Sequence, residues 1–276
     1  MKIIDGRLLA LKVKQELKVK ISKSRNTPGL AIVLVGNDHA SQTYVRLKAE
    51  AAKEIGLYFE KHIFPENARQ AEILQTIKQL NQNPKIHGMI VQLPLPKHFN
   101  TDEIIYAIDP KKDADGFHPN NLKKLRVDPT ALAPVLCQGV WELIESINQD
   151  FSNKKALIMA NSANFAEPMG IALTRRGLEV NIAYPPFINY QSQAKDADVI
   201  IIAIGQAKFL KSGSFKKNSI LIDVGFNRQG NKIVGDIDAE SAKDLPGWIT
   251  PVPGGVGPMT VAMLMQRTFE LAQNHG

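Results

Sequence analysis

The sequence predicts an α/β fold of two doubly wound domains with a cleft between them. Short apolar runs alternate with segments of helical period, the pattern of a parallel sheet with crossover helices. A charged, weakly periodic stretch from Lys111 to Pro134 interrupts that alternation, which then resumes. A chain of 276 residues, 44% of them hydrophobic, has enough apolar material for two cores.

In the first half, a helical pattern covers Arg7 to Ser24. Its basic run, Lys12 to Arg25, alternates with Leu17, Val19 and Ile21 and reads as a solvated helix face rather than a nucleic-acid surface. The strand "LAIVLVG" (30–36) and a helix from Ser41 to Ile55 follow. Next come a strand over Tyr58 to Phe64, a helix over Arg69 to Asn81 and a buried strand in "HGMIVQLPL". In the second half, strands are expected over 155–160, 179–183, 199–203 and 219–224, and helices over 168–176 and 190–195. A last helix follows "TPVPGGVGPMT". Right-handed crossovers place ligand loops at the carboxyl ends of the strands. The first domain is read as residues 1–128, completed by a C-terminal helix over 259–276, and the second as 129–258.

Composition excludes several classes. No run of about 18 apolar residues is present, so no membrane span is expected. The amino terminus carries Lys and Arg within its apolar pattern and does not read as a signal peptide. The single cysteine, Cys137, excludes an intramolecular disulfide framework and fits a reducing, cytoplasmic setting. A net charge of +7 can attract nucleic acid, and equally small polyanions such as phosphates or polycarboxylates.

Four stretches carry chemistry. In "YVRLK", Tyr44 and Lys48 share one helical face, where burial can depress a lysine pKa and fit it for proton transfer. Taken alone, the pair also reads as a surface lysine over a core tyrosine. In "VQLPLP", Gln92 ends a buried strand, where an unpaired amide costs about 1–3 kcal/mol, so it needs a partner or caps its own loop. "KKDADGFHP" sets Asp113 and Asp115 before Gly116, which reads as an Asx turn or as the start of a metal loop. No regularly spaced acidic ligands follow, so no metal is assigned. In "TPVPGGVGPMT", Gly254, Gly255 and Gly257 allow close backbone approach to a ligand, and Pro258 fits a first helical turn.

In this order and spacing, "SQTYVRLK", "GMIVQLPLP", "KDADGFHP" and "ITPVPGGVGPMTVAMLMQ" resemble the signature blocks of the bifunctional methylenetetrahydrofolate dehydrogenase/methenyltetrahydrofolate cyclohydrolase family. The resemblance covers nearly the whole chain. It implies two α/β domains, the second Rossmann-type, usually in a homodimer, with a folate substrate, NADP or NAD as cofactor and no nucleic-acid or membrane partner. By the same resemblance, Lys48 transfers protons, Gln92 tunes it and Tyr44 stacks along the folate. Asp115 holds the pterin edge, where a carboxylate can accept two parallel N–H donors. Gly254, Gly255 and Pro258 close over the pterin side.

The chain departs from that family at the nucleotide. The strand-to-helix turn of the family reads roughly Gly-Arg-Ser-x-x-Val-Gly-x-Pro-Met. Here Ala160 and Ala166 replace the glycines and Asn161 replaces the arginine that would grip a 2′-phosphate, while Ser162 remains. Leu136 replaces a hydroxyl, and Tyr184-Pro185-Pro186-Phe187 replaces a polar loop. Ile204 and Gly225 complete the implied cofactor set and also read as fold-maintaining. Losing one charge-assisted hydrogen bond to phosphate costs about 1.5–3 kcal/mol. Glu167 adds negative charge near the helix start. The expectation is therefore hydrolysis of 5,10-methenyltetrahydrofolate to 10-formyltetrahydrofolate at Lys48, with dehydrogenase activity and NADP binding weak or lost. The alternatives are the full bifunctional enzyme using NADP or NAD, and a non-catalytic folate-binding subunit.

Overall fold

The computed structural model describes residues 1–230 and 232–274. In chain order the first elements are β1 (Lys2–Ile3), α1 (Gly6–Ser22), β2 (Gly29–Val35), α2 (His39–Ile55), β3 (Tyr58–Phe64), α3 (Gln70–Gln82), β4 (Gly88–Val91), α4 (Thr101–Tyr106) and α5 (Pro119–Val127). Then follow α6 (Val135–Glu145), β5 (Lys155–Ala160), α7 (Ala163–Thr174), β6 (Glu179–Ala183), α8 (Tyr190–Asp196), β7 (Val199–Ala203) and β8 (Ile220–Asp223). The chain continues through β9 (Asn227–Gln229), β10 (Lys232–Val234), α9 (Ala239–Ala242), β11 (Trp248–Ile249) and α10 (Val256–Asn274). These elements form two compact units, one of Leu11–Val127 with the chain from Val261 onward, the other of Met1–Ala10 with Asp128–Thr260.

The Leu11–Val127 unit is built on a parallel three-stranded sheet of order β3-β2-β4. The central strand β2 is buried along its whole length, which is why it reads as an unbroken apolar run. Alternate residues Leu30, Ile32 and Leu34 pack with Leu17, Val45, Ala52, Leu264 and Met265. Ala31, Val33 and Val35 pack on the other face with Ile73, Ile77, Leu80 and Ile104. Lys112 is buried, and its Nζ donates to the carbonyls of Leu80 (3.1 Å) and Asn83 (2.8 Å) at the end of α3. A cation there adds a second donor to carbonyls that already accept the N–H groups of Asn83 and Ile86, and it complements the helix dipole.

The other unit holds a six-stranded sheet of order β1-β11-β8-β7-β5-β6, in which every pairing is parallel. Met1–Ala10 belongs to this unit because β1 pairs with β11, Lys2 opposite Trp248. From β5 the chain goes to β6 on one side and then to β7 on the other, so strand order reverses between β5 and β7. Such a reversal opens a crevice at the carboxyl ends of the two strands.

The structure differs from the sequence reading in several elements. The helix after β5 begins at Ala163, not Pro168, because the Ser162 side chain accepts from the Asn164 N–H and caps it. Pro168 lies inside α7. The stretch 111–134 contains α5, a helix whose charged exposed face hides its period. The last helix starts at Val256, within the glycine-proline motif. No helix among the described residues is long and apolar enough to cross a membrane.

Replacing Lys112 with Met removes one of the two donors from each of the Leu80 and Asn83 carbonyls and the cation from the end of α3. The variant is expected to lose about 2 kcal/mol, seen in urea denaturation as a lower midpoint with an unchanged slope.

Candidate active site

The amino end of α2 is fixed by Asp38, whose carboxylate accepts from the Ser41 N–H at 2.7 Å. From there the 3.6-residue period turns Ser41, Val45, Lys48 and Ala52 inward. Lys48 is only 8% exposed, and Tyr44, one turn earlier, is half-buried. Burial raises the Tyr44 phenol pKa.

Gln92 meets Lys48 from the end of β4. Its N–H continues the sheet ladder by donating to the Val33 carbonyl (2.8 Å), which holds the residue in place. Its side-chain Nε2 donates to the Leu93 carbonyl (2.8 Å), so Oε1 is the atom turned to accept from Lys48 Nζ at 2.9 Å. Burial pulls the Lys48 pKa down, and the Asp115 carboxyl opposes that fall.

The "DADG" turn divides labour between its acids. Asp113 is buried and builds the turn, accepting from the N–H groups of Gly116 (2.9 Å) and His118 (2.8 Å) and from Asn121 Nδ2 (2.9 Å). Asp115 has no such bond among the described residues, which leaves its carboxyl open to a ligand. Burial pushes its pKa up to about 6; Lys48 and Arg267 pull it back, and Asp113 adds to the rise. Arg267, buried on α10, escaped the sequence reading; a lone guanidinium within the apolar run "VAMLMQRTF" was the available signal.

The glycine loop lies in the other unit and has packing reasons of its own. Gly254 has φ +118°, and Arg7 Nε lies 3.2 Å from where its Cβ would stand. A Cβ on Gly255 would meet Thr250 Cβ at 2.7 Å. Pro258 is the third residue of α10, where no N–H is missed.

At the reversal between β5 and β7, Ala160 is buried at the strand end and Ala166 is buried in α7. Asn161 Nδ2 donates to the Ile204 carbonyl at 2.6 Å, crossing from the end of β5 to the end of β7. Two buried acids stand at the ends of β7 and β8, Asp223 as the last residue of β8. Asp236 accepts from the N–H groups of Ile204 (2.7 Å), Gly205 (3.0 Å) and Gln206 (2.8 Å) and from Asn227 Nδ2 (2.8 Å). Asp223 accepts from the N–H groups of Gly225 (2.9 Å), Asp236 (2.9 Å) and Ile237 (2.8 Å). Burial pushes the Asp223 pKa up to about 7. Gly225 is required by close approach, since its Cβ would stand 2.3 Å from Asp236 Cγ. Sequence reasoning missed Asp236, for which "VGDID" was the only cue. No group of three or more His, Cys, Asp or Glu side chains able to hold a metal occurs among the described residues.

Two family models match the chain. That of the tetrahydrofolate dehydrogenase/cyclohydrolase catalytic domain covers residues 4–115, and that of the NAD(P)-binding domain of the same enzymes covers 134–276. The chain belongs to the tetrahydrofolate dehydrogenase/cyclohydrolase family. The bifunctional protein FolD of Acetivibrio thermocellus is 41% identical over 99% of this chain and 97% of its own length. That of Lactococcus lactis subsp. cremoris is 42% identical over the same shares. Among solved structures, the FolD of Campylobacter jejuni superposes with a TM-score of 0.94 at 39% identity over 99% of both chains. The FolD of Trypanosoma brucei, complexed with NADP and an inhibitor, gives 0.94 at 28% identity, covering 99% of this chain and 97% of its own.

A member of this family is an enzyme of one-carbon folate metabolism with an NAD(P)-binding domain. The expectation of a weak or lost dehydrogenase is corrected here, because relatives above 40% identity are bifunctional by name and fit the two-activity alternative better. The reason is physical. Ala160, Asn161 and Ala166 remove side-chain grips from the turn, yet the strand, the Ser162 cap and the amino end of α7 are all kept. The amino end of α7 at the strand reversal, with its helix dipole and Ser162 beside it, fits an anionic group such as a dinucleotide pyrophosphate.

The raised pKa of Asp115 has a signed consequence. Between 3.8 and about 6 the folded chain holds a proton that the unfolded chain has released, so this group's contribution lowers stability as pH rises through that window. Asp115→Asn is expected to lack that slope and to be more stable relative to wild type at pH 7 than at pH 4.5, as read by urea denaturation at both values.

Proposed function

We propose that this chain oxidises 5,10-methylenetetrahydrofolate and hydrolyses the resulting methenyl bridge to 10-formyltetrahydrofolate, with Lys48 as the proton-transferring residue. The supporting observation is the buried Lys48 Nζ held 2.9 Å from Gln92 Oε1, with its pKa lowered. A lysine with a lowered pKa spends more of its time neutral near pH 7 and can take the proton of an attacking water. Gln92 aims it, since its amide is anchored through Leu93 and offers only its oxygen. The open Asp115 carboxyl accepts the paired N–H donors of an aminopyrimidine edge, and those donors favour its ionised form. Tyr44, on the same face of α2, lies along the folate ring system.

For the oxidation, the dinucleotide supplies the hydride acceptor when bound. Ser162 and the amino end of α7 would hold its pyrophosphate, and Ile204 and Gly225 would line the loops beside it. No cation stands at Asn161 or in the loop from Tyr184 to Phe187, so this chain has nothing there to grip a 2′-phosphate. NAD and NADP both serve as cofactor. The homodimer implied by the sequence resemblance belongs to this reading, and a solution mass of twice 30.5 kDa is its mark.

Lys48→Met is expected to slow methenyl-folate hydrolysis about 10²- to 10⁴-fold in a spectrophotometric assay; an unchanged rate defeats the assignment. Steady-state oxidation of methylene-folate is expected to show kcat/KM values for NAD and NADP within about tenfold of each other, since the roughly 1.5–3 kcal/mol of a charged phosphate contact is missing. A preference for NADP of more than about a hundredfold contradicts it.

A further inference from the structure

We propose that Asp236 is a positioning residue for the dinucleotide, fixing the backbone of the crevice between β5 and β7; the inference rests on the dinucleotide reading above. Asp236 is fully buried, and four donors surround its carboxylate. Oδ2 accepts from the N–H groups of Ile204 and Gly205, while Oδ1 accepts from the N–H of Gln206 and from Asn227 Nδ2. Two oxygens with about four lone-pair sites are thereby filled. Three consecutive amides bonded to one carboxylate leave the loop after β7 a single path, and Asn227 ties the loop after β8 to the same group.

The reach extends to the far wall of the crevice. The Ile204 peptide is held by Asp236 on its N–H and by Asn161 Nδ2 on its carbonyl. Asn161 directly precedes Ser162, the cap of α7. Hydrogen bonds thus run from Asp236 through Ile204 to Asn161, linking the ends of β7 and β5 across the strand reversal where ligands of such sheets bind. Asp236 is in turn placed by Asp223, which accepts its N–H. Both acids need neighbours without side chains, since a Cβ on Gly235 would stand 1.9 Å from Asp223 Oδ2 and one on Gly225 2.3 Å from Asp236 Cγ. Asp236 touches neither folate nor cofactor in this reading; it acts through the backbone it holds.

The test compares wild type with Asp236→Asn, which turns one acceptor oxygen into a donor facing donors, and with Asn227→Ala, which removes one partner of the four. Amide hydrogen exchange, isothermal titration with NAD and with NADP, and methenyl-folate hydrolysis are measured on each. In Asp236→Asn, exchange at Ile204, Gly205 and Gln206 is expected to quicken at least tenfold while Val199–Ala203 stays protected. The dinucleotide Kd is expected to rise at least tenfold, with hydrolysis held within twofold. Asn227→Ala is expected to raise the Kd about threefold. Wild-type exchange and Kd in Asp236→Asn overturn the inference, as does a loss of hydrolysis parallel to the loss of binding, which marks a general structural role. If Asp236→Asn does not fold, unchanged exchange and Kd in Asn227→Ala overturn it. A wild-type protein that binds neither dinucleotide defeats the dinucleotide reading and with it the positioning role, whereas an intact wild-type Kd beside an unaltered Asp236→Asn defeats the positioning role alone.

Discussion

An ammonium group taken out of water must be given partners or it loses its proton. Lys48 stands near that limit. One amide oxygen faces it, one carboxyl lies near enough to oppose the fall of its pKa, and the rest of its surroundings come from a packed helix–sheet interface. The arrangement depends on β2 and β4 holding register, because Gln92 is placed by its bond to Val33. A slip of one residue would turn the amide to the other face of the sheet. The chemistry of the lysine is therefore a property of strand pairing as much as of the side chain itself.

The same principle acts twice more in this chain, with different outcomes. Lys112 is buried against the end of a helix, where carbonyl dipoles surround it, and its role is architectural. Asp113 and Asp115 stand two residues apart, yet one is saturated by the turn it builds and the other is left open. Burial alone does not mark a functional group. What separates Lys48 and Asp115 from Lys112 and Asp113 is the bonding capacity left over once the backbone has taken its share.

Much of this was legible from the residues. Tyr58–Phe64, Lys155–Ala160, Glu179–Ala183 and Val199–Ala203 are strands at the expected positions, because their apolar content and flanking turns leave little choice. Lys48 and Gln92 come together as helical period and strand end require, with Tyr44 one turn before Lys48 on α2. What stayed hidden depends on contacts distant in sequence. β1 and β11 have two residues each, too few to show a period. Asp236 draws its meaning from amides some thirty residues earlier. The helix after β5 was placed late because Pro168 is a strong local signal, whereas the Ser162 cap is a weak one. The alanines at 160 and 166 read as damage when the turn is judged by side chains, yet the strand end and the capped amino end of α7 are kept.

The pairing of β1 with β11 bears on how the molecule is made. A strand drawn from residues 2 and 3 has its neighbour near residue 248, so a growing polypeptide carries residues 2 and 3 unpaired until residue 249 has emerged from the ribosome. Loop closure over such a span is slow, and the other unit likewise waits for the stretch beyond Val261. Each unit therefore draws together segments that lie far apart in this sequence, and a fragment lacking either partner loses the pairing of β1 with β11.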